Sequence, residues 1–178
     1  MPGSLRITEV DGPSPRRTGS GALVLDWWVD LACADTADSV EALDELRERV
    51  GDAIEVRIRH LPLTNHVWAV AAAQCQREAE AQGQGWAYAV HALHGLDQIE
   101  GPADYVDLAE HLGLDADEMA AALFDGRHAR AVRDDHDAGR ALGVTAVPTF
   151  VVDGLLVDAD PTREGLVAVL AARIAAAG

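Results

Sequence analysis

The residue best suited to chemistry is Cys33, which follows an apolar stretch at 22–29 and precedes a helical pattern. A thiolate at a helix N-terminus gains from the helix dipole and from free backbone amides, which lower the pKa of a cysteine. Thr36, three residues later, can donate its hydroxyl to the same thiolate. Asp35 opposes both effects because a nearby negative charge disfavours a second one. We therefore expect Cys33 to be a modest nucleophile.

The start of the helix after Cys33 decides how much of the dipole reaches the thiol. Apolar spacing predicts a helix over residues 37–50. Its candidate N-caps are Asp35, Thr36 and Asp38. Asp38 together with Glu41 resembles a capping box, and a helix that begins there would leave Cys33 with little help from the dipole.

The other cysteine, Cys75, falls on the apolar face of a predicted helix. We expect it to be a small core residue. The alternative is a distal resolving thiol for Cys33, which would need a Cα–Cα separation of about 6 Å or a conformational change. His91 and His94 lie three residues apart, but no carboxylate or thiol pattern completes a metal site around them.

The composition excludes several classes of function. The formal net charge is −16, which opposes binding to nucleic acid or to an anionic membrane surface because both attract basic residues. All 14 basic residues are arginine, so no lysine is available for a Schiff base or a phosphate-binding loop. No apolar run reaches the roughly 18 residues of a membrane span, and the N-terminus shows no apolar signal segment. We therefore expect a cytoplasmic protein, in which a structural disulfide would be unusual.

The apolar pattern divides the chain into two α/β parts with helices between them. Residues 22–29 form a near-continuous apolar run, as in a strand buried on both faces, and residues 54–59 alternate strictly, as in a second strand. A right-handed crossover between them makes these strands parallel. The segments that follow predict helices over 65–83, 85–97, 102–112, 116–124 and 127–142, a strand from about 144, an Asp-Gly turn, a strand over 155–157 and a helix from Pro161 to about 176. Residues 1–21 are irregular apart from a short edge strand within 5–10.

Four segments in this order resemble the DsbA-like branch of the thioredoxin-fold family. Asp-Leu-Ala-Cys at 30–33 resembles its approach to the active site, and Arg-His-Leu-Pro-Leu at 59–63 resembles the segment after its second strand. Gly-Val-Thr-Ala-Val-Pro-Thr-Phe at 143–150 resembles its cis-proline loop, and Asp-Gly at 153–154 resembles the hairpin that follows. The likeness covers roughly residues 20–176.

The resemblance implies an α/β thioredoxin fold, with a βαβ half and a ββα half that share a mixed central sheet. Residues 1–63 and 143–178 would form this thioredoxin-like domain, and residues 64–142 would form an inserted all-helical domain. The resemblance also implies that Pro148 follows a cis peptide bond and faces the cysteine. The backbone of Val147 would then be free to bind a peptide or a thiol.

The chain departs from the family at two positions of the motif. The family carries Cys-Pro-x-Cys, whereas this chain has Cys-Ala-Asp-Thr at 33–36, so Thr36 replaces the second cysteine. The family also tends to carry a buried glutamate six residues before the first cysteine, where this chain has Trp27. Asp26 lies next to it but would point to the opposite face of the strand. Cys33 could therefore form a mixed disulfide that the motif itself cannot resolve.

Three functions fit these observations. The leading hypothesis is a monothiol thiol–disulfide oxidoreductase in which Cys33 and Thr36 act on a small thiol or a protein disulfide, and a low-molecular-weight thiol is the co-substrate. No bound cofactor or metal is expected. The alternatives are a non-redox enzyme that resembles kappa-type glutathione transferases and chromene-carboxylate isomerases, with Thr36 as its hydroxyl, or an inactive module that binds peptides or thiols.

An acidic run and a pair of histidines are the remaining polar features of the sequence. The acidic run at 134–137 predicts a solvated helix face whose charges pair with nearby arginines. His60 and His66 flank the turn after the second strand. Packing of that turn is the simpler interpretation of these histidines, and a place at the edge of the active site is the alternative.

Overall fold

The computed structural model describes residues 7–8, 22–152, 154–157 and 163–177. The strands are β1 (Ile7–Thr8), β2 (Leu23–Val29), β3 (Ile54–His60), β4 (Thr149–Val152) and β5 (Leu155–Val157). The α-helices are α1 (Ala34–Ala37), α2 (Val40–Val50), α3 (Ala69–Ala81), α4 (Gly85–His94), α5 (Pro102–His111), α6 (Ala116–Asp125), α7 (Ala129–Ala141) and α8 (Arg163–Ala177). Short 3₁₀ turns lie at Gly51–Ala53 and Leu96–Gln98.

The strands form one mixed sheet in the order β1-β5-β4-β2-β3. Strands β2 and β3 are parallel, and the other neighbours are antiparallel. The predicted α/β thioredoxin fold is thus confirmed. Strand β2 is an inner strand between β4 and β3, and its adjacent residues Trp27 and Trp28 are both buried because the sheet is covered on both faces.

The predicted edge strand and hairpin are both present in shorter form. Within 5–10, residues Ile7–Thr8 pair with β5. The hairpin between β4 and β5 contains Gly154, whose φ of 80° suits a residue without a side chain. Asp153 and Pro161, which belonged to the predicted turn and helix start, lie outside the described residues.

The helix predicted over 37–50 is present as α2, which begins three residues later than predicted, and a separate turn of helix, α1, precedes it. A single turn, α1, is followed by a break at residues 38–39 and then by α2. The Ser39 hydroxyl donates to the carbonyl of Thr36 at 2.6 Å, and the Ser39 amide donates to the same carbonyl at 3.1 Å. These bonds satisfy the end of the first turn and allow the change of direction. None of the three predicted N-caps is used, since Cys33 caps α1 and Ser39 caps α2.

Helices α3 to α7 lie between β3 and β4 in the chain, as the predicted helical insert requires. Helix α3 contacts α4, α5, α6 and α7, and α7 also contacts β3. Gly139 of α7 also allows a close approach to β2, because a Cβ built there would lie 2.6 Å from the ring of Trp28. The insert is therefore packed directly onto the sheet face that carries Trp28.

Candidate functional site

Cys33 lies in the turn that follows β2 and caps the N-terminus of α1. Its amide donates to the carbonyl of Asp30 at 3.1 Å, which closes the turn. The residue is only 8% exposed. Its apolar neighbours belong to one buried cluster on the Trp28 face of the sheet, which consists of Trp28, Cys33, Leu61, Val144, Val147 and Val151. Cys33 is thus held just beyond the end of β2, with little exposure to solvent.

The loop before β4 brings the second predicted site element to the same place. The Val147–Pro148 peptide bond is cis, and Val147 is a member of the Cys33 cluster. Strand β4 pairs Thr149 with Trp28, so the residues just before β4 continue towards the turn that carries Cys33. Among the described residues, Val147 has no backbone hydrogen-bond partner outside the sheet ladders.

Thr36 does not take the place that the motif predicted for it. The residue is fully buried, and its Oγ1 has no hydrogen-bond partner among the described residues. The expected hydrogen bond from Thr36 to the sulfur of Cys33 is therefore not formed. The amide of Thr36 donates to the carbonyl of Cys33 at 3.1 Å, and its own carbonyl accepts from Ser39 at the break between α1 and α2.

Asp30 was not assigned a role by the sequence pattern, although it begins the segment that resembles the family. Its side chain is fully buried. Oδ1 accepts the amide of Ala32 at 2.9 Å, and Oδ2 accepts the amide of Leu63 at 2.9 Å. Oδ2 also bonds Nδ1 of His66 at 2.8 Å. One carboxylate therefore joins the Cys33 turn to the segment that follows β3.

A family model matches over half of the chain. Residues 64–166 match the DSBA-like thioredoxin domain. The chain belongs to this family. The DSBA-like fold is also evident in solved structures, which share too little sequence with the chain to show more than the fold. BdbD from Bacillus subtilis has a TM-score of 0.77 at 12% identity, with 96% of this chain and 98% of that chain covered. DsbA from Klebsiella pneumoniae has a TM-score of 0.70 at 15% identity, with 97% and 92% covered.

The curated relatives of this DSBA-like chain are much longer proteins. It is 35% identical over 117 residues to Na⁺/H⁺ antiporter NhaA 3 of Salinispora tropica, and the match covers 64% of this chain and 18% of the antiporter. Over 151 residues it is 29% identical to NhaA of Herminiimonas arsenicoxydans, of which it spans 22%. The chain therefore spans about a fifth of the length of these relatives. Within the described ranges, no helix is both long and apolar enough to cross a bilayer.

Trp27 occupies the position where the DSBA-like family tends to carry a buried glutamate. It is fully buried, its Nε1 donates to the hydroxyl of Ser39 at 3.1 Å, and its ring packs against that of Trp86. Asp26 does not supply a substitute carboxylate, because its Oδ1 accepts Nε of Arg59 at 3.0 Å. At this position Trp27 therefore contributes apolar packing, where the family tends to carry a titratable carboxyl group.

Cys75 is a core residue of this DSBA-like domain, as its helical position predicted. It is 1% exposed and belongs to the larger apolar cluster, which does not include Cys33. Burial raises the pKa of the Cys75 thiol to about 12, although a hydrogen bond with Tyr88 partly offsets this. A protonated, buried thiol is a poor nucleophile, so the structure offers no support for Cys75 as a resolving thiol.

The acidic run at 134–137 was predicted to be a solvated face, and for Asp135 that prediction is wrong. The predicted pairing with nearby arginines holds for Asp134, which lies 3.6 Å from Arg130. Asp135 is instead 3% exposed. Its carboxylate pairs with Arg59 at 2.9 Å and with Arg77, and it accepts the amide of His60 at 3.2 Å. A helix in the insert is thereby linked to the end of β3 by a buried ionic network.

His60 and His66 have different environments. The ring of His60 is buried, and Nε2 bonds Oε1 of Gln76 at 2.8 Å. Burial, followed by the charge of Arg77, lowers the pKa of His60 to about 4. His60 is therefore a neutral packing residue, whereas His66 contacts Asp30 at the candidate site. Among the described residues, no group of three or more His, Cys, Asp or Glu is arranged to hold a metal ion.

Proposed function

We propose that this chain is a thiol–disulfide exchange protein that uses Cys33 as a single reactive thiol. The observation that carries the proposal is the meeting of Cys33 with the Val147–Pro148 loop at the end of β2, in a chain of the DSBA-like family. The backbone of Val147, which has no hydrogen-bond partner within the described part of the chain, suits a bound peptide or thiol that pairs with it as a strand would.

The proposed disulfide exchange uses one sulfur atom of the protein, that of Cys33. The Cys33 thiol loses its proton and attacks one sulfur of a substrate disulfide, so that Cys33 is oxidised and the other substrate sulfur leaves reduced. A second thiol, from a small molecule or a protein, then attacks the mixed disulfide and restores Cys33. Thr36 cannot perform this last step because it carries no sulfur, and its buried hydroxyl contacts no other described polar group. The same burial weakens the alternative in which Thr36 is the hydroxyl of a kappa-type or isomerase-like enzyme.

The proposed substrate is a small disulfide or a protein disulfide. The cytoplasmic location stays a prediction from the sequence. Sodium–proton antiport is not part of the proposal, because the chain spans only 18% of the antiporter that it matches at 35% identity.

The test is adduct formation with glutathione disulfide, followed by intact-mass spectrometry of the folded protein. Wild type and Cys75→Ser should gain one glutathionyl group, and Cys33→Ser should gain none. An external thiol should then remove the group. An adduct that persists in Cys33→Ser, or a wild-type protein that gains none, would refute the proposal and favour a binding module without turnover.

A further inference from the structure

Strand β3 forms one edge of the sheet, so one side of its backbone faces away from β2. Directly after β3, the amide of Leu61 donates to the carbonyl of Val29 at 2.8 Å. The odd-numbered residues of this segment therefore point their backbone groups towards β2, and the even-numbered residues point theirs away from it, because backbone groups alternate along a strand. Val56 and Ile58 thus each direct one amide and one carbonyl towards the open edge.

The end of this edge is closed, whereas its middle is open. The amide of His60, which also points outward, donates to Oδ2 of Asp135 at 3.2 Å. No such bond reaches the outward amides or carbonyls of Val56 and Ile58 from any residue that the structure describes. Unpaired groups on an edge strand are a template for a further strand. The middle of β3 therefore offers donors and acceptors with the spacing of a β-ladder.

A groove, the edge groove, follows the open side of β3. It consists of two adjoining hollows of about 460 and 580 Å³, which share Glu55, Val56 and Trp86 in their walls. The first hollow contacts the five consecutive residues 55–59. Successive side chains of a strand point to opposite faces, so a hollow that contacts all five lies beside the edge rather than above one face. A further strand, about 4.8 Å from β3, would therefore lie in this groove.

The two faces of the edge differ in chemistry. On one face, Ile54 and Val56 are half-buried and pack, together with Trp86, against the larger apolar cluster. On the other face, Arg57 binds Glu55 through Nε alone, at 2.6 Å. The terminal nitrogens of Arg57 have no hydrogen-bond partner among the described residues. An apolar side chain of a ligand suits the first face, and a carboxylate suits the second.

The charge of the edge groove differs from that of the whole chain. The chain carries a net charge of −16, whereas the lining of the groove contains four arginines and three acidic residues. An acidic residue of a ligand is therefore not repelled in the groove as it would be over most of this surface.

We propose that the open edge of β3 binds an extended peptide segment as a sixth strand of the sheet. Apolar side chains of the peptide lie towards Trp86, and an acidic side chain between them lies towards Arg57. The site is separate from the Val147 segment, because that segment leads into β4 on the other side of β2. The inference therefore does not depend on disulfide exchange at Cys33.

Hydrogen exchange of the full chain, followed residue by residue with NMR, tests the strand pairing. The probe is a capped peptide as long as β3, seven residues, in which valine alternates with glutamate. The amides of Val56 and Ile58 should exchange about tenfold more slowly with saturating peptide, because each would then donate to the peptide backbone. Dilute protein without peptide gives the reference rates.

Two methylated forms of the peptide separate backbone pairing from side-chain contacts. One form carries N-methyl groups on its valines and the other on its glutamates, so that both keep every side chain. Only alternate amides of an added strand face its neighbour. One form should therefore bind about tenfold more weakly than the unmethylated peptide, and the other should retain its affinity.

Charge reversal at Arg57 tests the acidic preference. Arg57→Glu should weaken binding of the valine–glutamate peptide about tenfold. It should bind the corresponding valine–lysine peptide more tightly than wild type does. Arg49→Glu is the matched control, because Arg49 forms an exposed ion pair with Glu45 on α2 at 2.8 Å and does not line the groove. This control changes the net charge equally and should leave both affinities unchanged.

Three outcomes would overturn the inference. If the two methylated peptides bind equally well, or if Val56 and Ile58 exchange at the same rate with and without peptide, no strand is added. If both amides are already protected in dilute protein, the chain itself covers the edge. If they become protected only as the protein concentration rises, the occupant is a second copy of the chain rather than a peptide.

Discussion

Two buried carboxylates lie near the ends of the two parallel strands, and their partners differ in kind. Asp30 follows β2 and bonds two amides and one imidazole. Asp135 reaches the end of β3 from α7 and bonds one amide and two guanidinium groups, those of Arg59 and Arg77. Both side chains are almost wholly removed from solvent.

The difference shows that burial does not decide what a carboxylate does. Arginine keeps its charge at every accessible pH, so Asp135 is neutralised throughout and serves to hold the helical insert against the sheet. Asp30 has no guanidinium partner among the described residues, and its side-chain partner is the imidazole of His66. The arginine network around Asp135, called the fixed network below, joins α7 to α3 and β3, whereas Asp30 lies in the turn that carries Cys33.

The largest effect is expected at the fixed network. Asp135→Ala leaves Arg59 and Arg77 without their shared carboxylate and the amide of His60 without an acceptor. We expect the free energy of unfolding in urea to fall by about 3 kcal/mol. Asp134→Ala is the matched control, because Asp134 is its exposed neighbour and its contact with Arg130 is worth at most about 0.5 kcal/mol. Equal losses for the two variants would show that the network is not structural.

The next effect is a pH dependence of stability that arises from His60. The pKa of His60 is about 4 in the folded protein, against an ordinary value of 6.5. Between these values the unfolded chain binds a proton that the folded protein does not, so stability falls as pH decreases from 6.5 to about 4. The loss should reach about 3 kcal/mol. Urea titrations of wild type and His60→Gln should differ in slope only within this window, and parallel curves would contradict the assignment.

A smaller stability effect is expected at Asp30. Asp30→Ala removes the acceptor of the amides of Ala32 and Leu63. Because these groups are only partly buried, we expect a loss of about 2 kcal/mol in the free energy of unfolding. Asp35→Ala changes an exposed carboxylate of the same segment and should be close to neutral. If Asp30→Ala also proved neutral, the turn would not depend on this carboxylate.

The smallest effect concerns His66. His66→Asn should cost less than about 0.5 kcal/mol because an amide N–H can replace Nδ1 as the donor to Asp30. His66→Ala, which leaves that oxygen with one partner fewer, should cost about 1 kcal/mol. Thermal or urea unfolding at pH 8 checks both values. A large loss in His66→Asn would mean that the ring is held by packing rather than by its bond to Asp30.

Much of the fold could be predicted from sequence because it is encoded locally. The apolar run that became β2, the alternation that became β3 and the proline loop before β4 each carry their signal within about ten residues. The break between α1 and α2 was missed because it depends on Ser39, whose hydroxyl bonds the carbonyl of Thr36. The spacing of apolar residues contains no information about a hydrogen bond between a side chain and the backbone.

The site was harder to predict, because its polar contacts join distant parts of the chain. Asp30 bonds His66, and Asp135 bonds Arg59, across 36 and 76 residues respectively. No spacing rule connects such pairs. One signal was available for Asp135, since the buried residues of α7 are Val132, Asp135 and Gly139, which repeat at helical spacing. Because Asp135 lies in a run with Asp134 and Asp137, the run was interpreted as an exposed acidic face and this spacing was not used.

The packing of Trp28 in the same buried cluster as Cys33 has an optical consequence. Trp28 and Cys33 share one buried cluster, whereas Trp27 packs with Trp86 on the opposite face. Sulfur close to an indole quenches its fluorescence to an extent that depends on whether the sulfur is a thiol or a disulfide. Strand β2 thus places a chromophore in the same cluster as the candidate nucleophile, and the emission of Trp28 should follow the oxidation of Cys33 without any added label.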